Sequence, residues 1–145
     1  MKNTLLILLL TIQANAFAGG WETGNDLNNL LSQPENNFFA AGKASGYITA
    51  IADERAYSMD WIMTRIMSDP STTQQQKGEL VEKTFGMLKE HWVCFPGGVT
   101  VSQLTAVVKN WLAKSPQRWN ESASKLVQDA LKENFPCNSV NDLMK

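Results

Sequence analysis

The sequence is short of the residues from which metal sites and nucleophilic catalysts are built. Its 145 residues include one histidine, His91, and two cysteines, Cys94 and Cys137. A zinc site takes three or four protein ligands, usually His and Cys, and these residues cannot supply them if the cysteines are paired. We therefore expect no metal and no cofactor. The favoured role of His91 is that of a cationic residue at the C-terminus of a helix.

The sequence also lacks a recognisable set of catalytic carboxylates or a phosphate-binding loop. Asp53 and Glu54 are adjacent, so they point to different sides of a helix and do not face one cleft, as the carboxylates of a glycosidase must. A structural role for Asp53 is favoured over a catalytic one. The turn at Gly97-Gly98 has no lysine after it and no strand before it, which excludes a phosphate loop. These absences favour a protein that is not an enzyme.

An excess of positive charge is absent as well. The chain has 13 basic and 14 acidic residues, a net charge of −1. Removal of Lys2 with a leader leaves 12 basic and 14 acidic residues, a net charge of −2. Domains that bind nucleic acid carry a basic patch or stripe. We therefore expect no nucleic-acid partner.

The N-terminus has the layout of a secretory signal peptide. Lys2 gives the charged region, Leu5 to Ile12 form an apolar stretch of eight residues, and Ala16-Phe17-Ala18 is a small-x-small cleavage site. A bilayer requires about 20 apolar residues, so this stretch is too short to span one. We predict that residues 1–18 are a signal peptide cleaved after Ala18 and that the mature protein is periplasmic and makes no contact with a membrane. An uncleaved N-terminal anchor is the alternative.

The rest of the chain predicts an all-α fold, a compact bundle of four to six helices in one domain over residues 19–137. Apolar residues recur at helical spacing, and no segment alternates apolar and polar residues between turns. Residues 138–145 are expected to be a mobile C-terminal tail. The predicted N-caps are Thr23 or Asn25, Asn36 or Asn37, Thr72 or Thr73, Thr100 with Gln103, and Asn120. The predicted buried faces include Leu27, Leu30, Leu31, Phe38, Phe39, Ala41, Ala44, Ile48, Ala52, Val81, Phe85, Trp92, Val101, Leu104 and Val108.

The two cysteines lie on either side of two predicted helices, 43 positions apart. Cysteines in small secreted chains usually pair, so we predict the disulfide Cys94–Cys137. The chain-entropy model assigns about 4 kcal/mol to closing a loop of this length. The alternative is a thiol nucleophile at Cys94, with His91 as the base that makes the thiolate.

Two groups of residues are candidates for contacts with other helices or proteins. Gly42, Gly46 and Ala50 are four residues apart, so they lie on one side of a helix and predict a close helix crossing, within the chain or between two chains in a dimer. Glycine costs about 1 kcal/mol relative to alanine inside a helix, so two glycines need such a reason. The candidate partner-binding residues are Trp61, Asp69, Ser71, Thr72 and Trp119.

Three motifs resemble those of the Rap/Tai family of immunity proteins. In that family, Gly-Tyr-Ile-x-Gly is followed by an aspartate, Cys-x-Pro-x-Gly-Val-Thr leads into a helix, and Ala-Phe-Pro-Cys closes the domain. The resemblance covers residues 23–54 loosely and residues 94–137 well. The corresponding residues are Gly46-Tyr47-Ile48-Thr49-Ala50 with Asp53, Cys94-Phe95-Pro96-Gly97-Gly98-Val99-Thr100, and Asn134-Phe135-Pro136-Cys137.

The chain departs from the family pattern in two places. Members often carry a second cysteine pair, at positions that are Leu31 and Ala44 here, and the two apolar residues suggest a contact repacked without the bridge. About forty residues separate Asp53 from Cys94, more than the family pattern leads us to expect. Residues 57–90 are therefore interpreted as an elaboration in which the choice of partner could lie.

The resemblance implies a specific function. Such proteins are small, helical and periplasmic, often form dimers, and protect a bacterium from cell-wall amidase effectors delivered by type VI secretion. They bind the effector and obstruct its active-site cleft, so the implied partner is a cognate peptidoglycan amidase. The competing interpretation is a general periplasmic stress protein or chaperone that binds exposed apolar surfaces. A small enzyme acting on the cell wall is a third.

Overall fold

The computed structural model describes residues 22–34, 36–88, 92–139 and 142. Within those residues the fold is all-α, as predicted, with two isolated β-bridges and no strand. The predicted signal peptide and His91 lie outside the described residues, as does most of the predicted tail. The helices are α1 (Gly24–Leu31), α2 (Phe38–Ser68), α3 (Gln74–Leu88), α4 (Val101–Lys114) and α5 (Ala123–Asn134), with a short 3₁₀ helix over Pro116–Arg118.

The helix starts were mostly predictable, because their caps are local. Thr23 and Asp26 form a capping box at α1, and Thr100 and Gln103 form one at α4. Each threonine side chain accepts a hydrogen bond from a backbone N–H that the first helical turn leaves unpaired. Asn37 does the same for Ala40 at the start of α2. These three predicted caps are confirmed.

The predicted cap of the last helix, Asn120, is wrong. Helix α5 begins at Ala123 behind Ser122, which makes no side-chain capping bond. The reason is tertiary, because the segment before α5 pairs with the start of α1. The amide of Gly24 donates to Glu121 O at 2.9 Å, and that of Ala123 donates to Glu22 O at 2.9 Å.

The core joins four of the helices and the loop that precedes α4. Leu27 of α1, Ile48 of α2, Val108 of α4 and Leu126 of α5 are fully buried in one apolar cluster. Leu31 and Ala44, which stand where family members often carry cysteines, belong to the same cluster. In this chain, apolar side chains therefore pack in the region where other family members often carry the second cysteine pair.

Four residues of the predicted buried faces lie at the surface, namely Phe38, Phe39, Ala41 and Val101. Phe38 and Phe39 are 83% and 80% exposed, and Val101 is 47% exposed. Each is at the first turn of its helix, where the chain enters from solvent and no neighbouring element covers it. Helical periodicity gives the direction of a side chain but not the extent of the surface that packs against it.

The second half of α2 and all of α3 form a hairpin that stands apart from the core. No residue between Asp53 and Trp92 belongs to the core cluster of the described residues. Helix α3 packs on α2, and Val81 is the one α3 residue that is buried. Near the C-terminal end of α3, the ring of Phe85 lies 5.1 Å from that of Trp92 in the following loop. We call residues 53–88 the arm and the rest of the described chain the body.

Helix α2 is continuous across both parts. Its 31 residues correspond to about 46 Å at 1.5 Å per residue. Its last buried residue is Ala52, and one turn later the Arg55 guanidinium donates to the side chain of Gln128 on α5. The arm therefore begins where α2 leaves α5. None of the described helices is both long and apolar enough to cross a membrane.

Candidate functional site

The disulfide Cys94–Cys137 is present, with the two Cα atoms 5.1 Å apart. The thiol-nucleophile alternative for Cys94 is therefore wrong, because its sulfur is bonded. The backbone around the bridge is paired independently, since Cys94 N–H donates to Phe135 O at 2.9 Å. The rings of Phe95 and Phe135 also pack together, with centroids 5.4 Å apart. The bridge closes the α4–α5 hairpin at the end opposite to the 3₁₀ helix.

A charge network fixes the opposite end of the hairpin. The Arg118 guanidinium donates to both carboxylate oxygens of Glu121, at 2.6 and 2.8 Å, and to Asp129 at 2.5 Å. Lys125 donates to the same two carboxylates at 2.8 and 3.0 Å. The hydrogen bonds from Arg118 and then Lys125 lower the pKa of Glu121 to about 2. Burial opposes ionisation of Asp129, but the same two cations outweigh it and lower its pKa.

Two tryptophans extend this network into the body. The Arg118 guanidinium lies 5.1 Å from the ring centroid of Trp111, a cation–π distance. The indole N–H of Trp111 donates to Glu133 at 2.5 Å, and that of Trp119 donates to Leu112 O at 2.9 Å. Trp119 is half-buried and packs against the core. The ring and the indole N–H of Trp119 therefore both make contacts within the chain.

The arm exposes two aromatic side chains of α2. Tyr57 is 70% exposed and Trp61 is 58% exposed. Asp53 and Asp60 are exposed beside them. These four residues occupy positions i, i+4, i+7 and i+8 of α2, so they share one face of the helix. We call Asp53, Tyr57, Asp60 and Trp61 the acidic–aromatic face.

The predicted binding residues at the tip of the arm form a tight turn between α2 and α3. The carboxylate of Asp69 accepts hydrogen bonds from the Ser71 amide at 2.8 Å and its hydroxyl at 2.7 Å. These bonds from Ser71 lower the pKa of Asp69. Thr72 donates its hydroxyl to Asp69 O at 3.2 Å. The three residues therefore shape the turn, and a role for them in partner binding stays a prediction.

Gly42, Gly46 and Ala50 lie on the exposed side of α2. No heavy atom outside the local backbone of α2 lies within 4 Å of the position that a Cβ would take on either glycine. The described chain therefore provides no close helix crossing at these residues. A crossing between two chains stays a prediction.

An open groove lies between the C-terminal end of α1 and the N-terminal ends of α2 and α4. Its volume is about 660 Å³, and its walls include Leu30, Phe38, Val101 and Lys109. Leu31 and Ala44 line its floor side. The groove is mostly apolar, and the hydroxyls of Ser45 and Thr105 in its lining donate to backbone carbonyls of their own helices.

The described residues contain no arrangement suited to metal binding. No three His, Cys, Asp or Glu side chains of this set come close enough to hold an ion. What these residues do provide is a rigid body and an arm with exposed aromatic rings. Such surfaces bind other proteins, since Trp and Tyr are enriched at interface hot spots.

The predicted partner-binding residues include Trp61, whose ring is exposed, but not Tyr57 or Asp53 on the same helix face, and a binding role for Trp61 stays a prediction. The signal was available, because the spacing of Asp53, Tyr57 and Trp61 is that of one helix face. Spacing alone could not show that this face is exposed to solvent, because its exposure depends on where α3 packs against α2.

Comparison with known protein families gives a match over most of the chain. The profile of a family described as Rap1a immunity proteins matches residues 23–137. No curated protein and no solved structure is significantly similar to the chain. The matched segment contains all five helices described above and both cysteines. The chain belongs to the Rap1a immunity protein family.

Proposed function

We propose that this chain is a periplasmic immunity protein that binds a peptidoglycan amidase effector of type VI secretion and blocks its active site. The observation that carries the proposal is the family match over residues 23–137. An immunity protein acts by binding a secreted effector, so this protein needs a stable surface rather than a catalytic centre. Immunity proteins generally have no enzymatic activity, and we propose that this one has none.

Two features of the chain support the compartment. The first 18 residues have the layout of a cleavable signal peptide. The Cys94–Cys137 disulfide suits an oxidising compartment such as the periplasm, where bridges form and persist. Peptidoglycan amidases act on the cell wall, so an inhibitor of such an effector would meet it in the periplasm.

The division into body and arm supports a mechanism of steric occlusion. The body is held by one apolar cluster, by the disulfide and by the Arg118 network. The arm projects from it as a helix hairpin with Tyr57 and Trp61 exposed. A rigid projection with aromatic anchors can fill a cleft at a low cost in conformational entropy. We propose that the arm is the part that enters or covers the effector's cleft.

The test is a titration of amidase activity with the purified mature protein. The probe is an amidase effector of type VI secretion, sought among the genes that neighbour the gene of this chain, and the assay follows release of peptide from peptidoglycan sacculi. Stoichiometric occlusion predicts that activity falls linearly and ends at a molar ratio of one. An amidase that stays fully active beside an excess of the protein contradicts the proposal.

A pair of matched variants tests whether the inhibition depends on the α2 face of the arm. Tyr57→Ala with Trp61→Ala removes the exposed rings of α2, and we expect inhibition to weaken at least tenfold. Leu80→Ala with Met87→Ala removes two exposed apolar side chains of α3 and serves as the control, with an expected change below twofold. Equal losses in both pairs would contradict a specific role for the α2 face.

A further inference from the structure

The acidic–aromatic face of α2 carries unbalanced negative charge. Among the ion pairs of the described residues, none involves Asp53 or Asp60. The two carboxylates lie on either side of Tyr57 along the helix, and Trp61 follows Asp60 directly. The spacing of seven residues between the carboxylates corresponds to about 10 Å along the helix.

The basic residues of the arm do not neutralise this face. The arm has six acidic and four basic residues over positions 53–88. Arg55 points to α5, where it donates to Gln128. Lys77 donates to Met67 O at 2.7 Å. Two of the four cations are therefore bonded elsewhere, and none of the four forms an ion pair with Asp53 or Asp60 among the described residues.

Aromatic rings beside carboxylates on one helix face favour one kind of partner. An Arg or Lys side chain is attracted both to a carboxylate and to the face of a Trp or Tyr ring. The uncompensated carboxylates of this face would repel an acidic surface. Against an apolar surface they would be buried without a partner. Complementarity of charge therefore selects a basic surface.

We infer that the acidic–aromatic face receives a basic patch of the effector, in which two Lys or Arg side chains about 10 Å apart lie beside an apolar anchor. The apolar anchor packs against the rings of Tyr57 and Trp61, and the cations pair with Asp53 and Asp60. The inference rests on the proposed function and names the chemistry of the partner surface. It differs from self-association, because a second copy would present the same acidic face.

The test compares two neutralising double variants by binding kinetics. Asp53→Asn with Asp60→Asn removes the two charges of the face. Glu79→Gln with Glu82→Gln removes two exposed acids of α3 and is the matched control, because both variants change the net charge equally. The probe is the amidase effector that the wild-type protein inhibits in the titration above, measured at low and at physiological ionic strength.

For the face variant, we expect affinity to fall at least tenfold, mainly through a slower association rate, and its dependence on salt to become weaker. The control should change affinity less than twofold. Equal effects of the two variants, or no effect of either, overturn the inference while the proposed function stands. A wild-type protein that inhibits no amidase overturns both. A wild-type dimer that dissociates only in the face variant, seen by sedimentation velocity, assigns the face to self-association and also overturns it.

Discussion

A Cβ atom added to Gly24 would lie 2.3 Å from Cδ1 of Leu126 and 2.9 Å from the Cα of Trp119. Gly24 is the first residue of α1, and the missing side chain lets α1 approach the segment before α5. The approach is secured by the hydrogen bonds from the Gly24 amide to Glu121 O and from the Asn25 amide to Trp119 O. Backbone hydrogen bonds thus attach the start of α1 to the segment that precedes α5.

We predict that Gly24→Ala destabilises the protein by about 1–3 kcal/mol, the usual cost of overfilling a packed site. The free energy of unfolding, measured by urea titration, checks this. Gly46→Ala is the matched control, because a Cβ there meets no atom within 4 Å. It should stabilise the protein by about 1 kcal/mol through helix propensity. Destabilisation by both variants would show that the two environments do not differ as described.

The second prediction concerns the disulfide. Replacement of Cys94 and Cys137 by alanine should lower the free energy of unfolding by about 4 kcal/mol, as loop-closure entropy over this separation predicts. The native contacts around the bridge should survive, because Cys94 N–H bonds Phe135 O and the rings of Phe95 and Phe135 pack. Unchanged helical circular dichroism with a lower midpoint in urea supports this. Loss of helical signal in buffer would mean that the bridge is needed for folding itself.

The third prediction follows from the depressed pKa of Glu121. Its pKa is about 2 in the folded protein, below its ordinary value of 4.5, because Arg118 and Lys125 donate hydrogen bonds to the carboxylate. Ionised Glu121 therefore stabilises the fold above about pH 4.5, and that contribution is lost as the pH falls toward 2. Thermal unfolding midpoints measured between pH 6 and pH 2 should fall more steeply for the wild type than for Glu121→Gln.

The control for this pH dependence is Glu82→Gln, an exposed position on α3 that makes no ion pair among the described residues. Its midpoints should fall in parallel with those of the wild type. If Glu121→Gln also follows the wild-type curve, the Arg118 network does not contribute to acid stability.

The extent to which this fold was predictable differs between local and tertiary features. The caps at Thr23, Asn37 and Thr100 were correct, because a cap depends on residues three apart in the sequence. Asn120 failed because the segment around it pairs with α1 about 95 positions away. The sequence contained both partners but no sign of their contact.

The same distinction applies to the candidate site. Helical spacing placed Phe38 and Val101 on apolar faces, but whether a face is covered depends on where the neighbouring helices end. Both residues lie at the first turn of a helix and remain exposed. Trp61 and Trp119 could not be told apart by sequence, and only the hydrogen bond from Trp119 to Leu112 O showed which ring is used within the chain.

The last prediction concerns the junction between body and arm. The Arg55 guanidinium donates to the side chain of Gln128. Among the described residues, this side-chain hydrogen bond joins the arm to α5. Arg55→Met keeps the apolar stem and removes the bond, so the arm should lose about 1 kcal/mol of local stability while the core is unchanged. Hydrogen exchange should become faster in α3 and in the second half of α2, and not in α4 or α5. Thr64→Met, an exposed change further along α2, is the control and should leave exchange as in the wild type. Faster exchange throughout the body after Arg55→Met would mean that arm and body unfold as one unit.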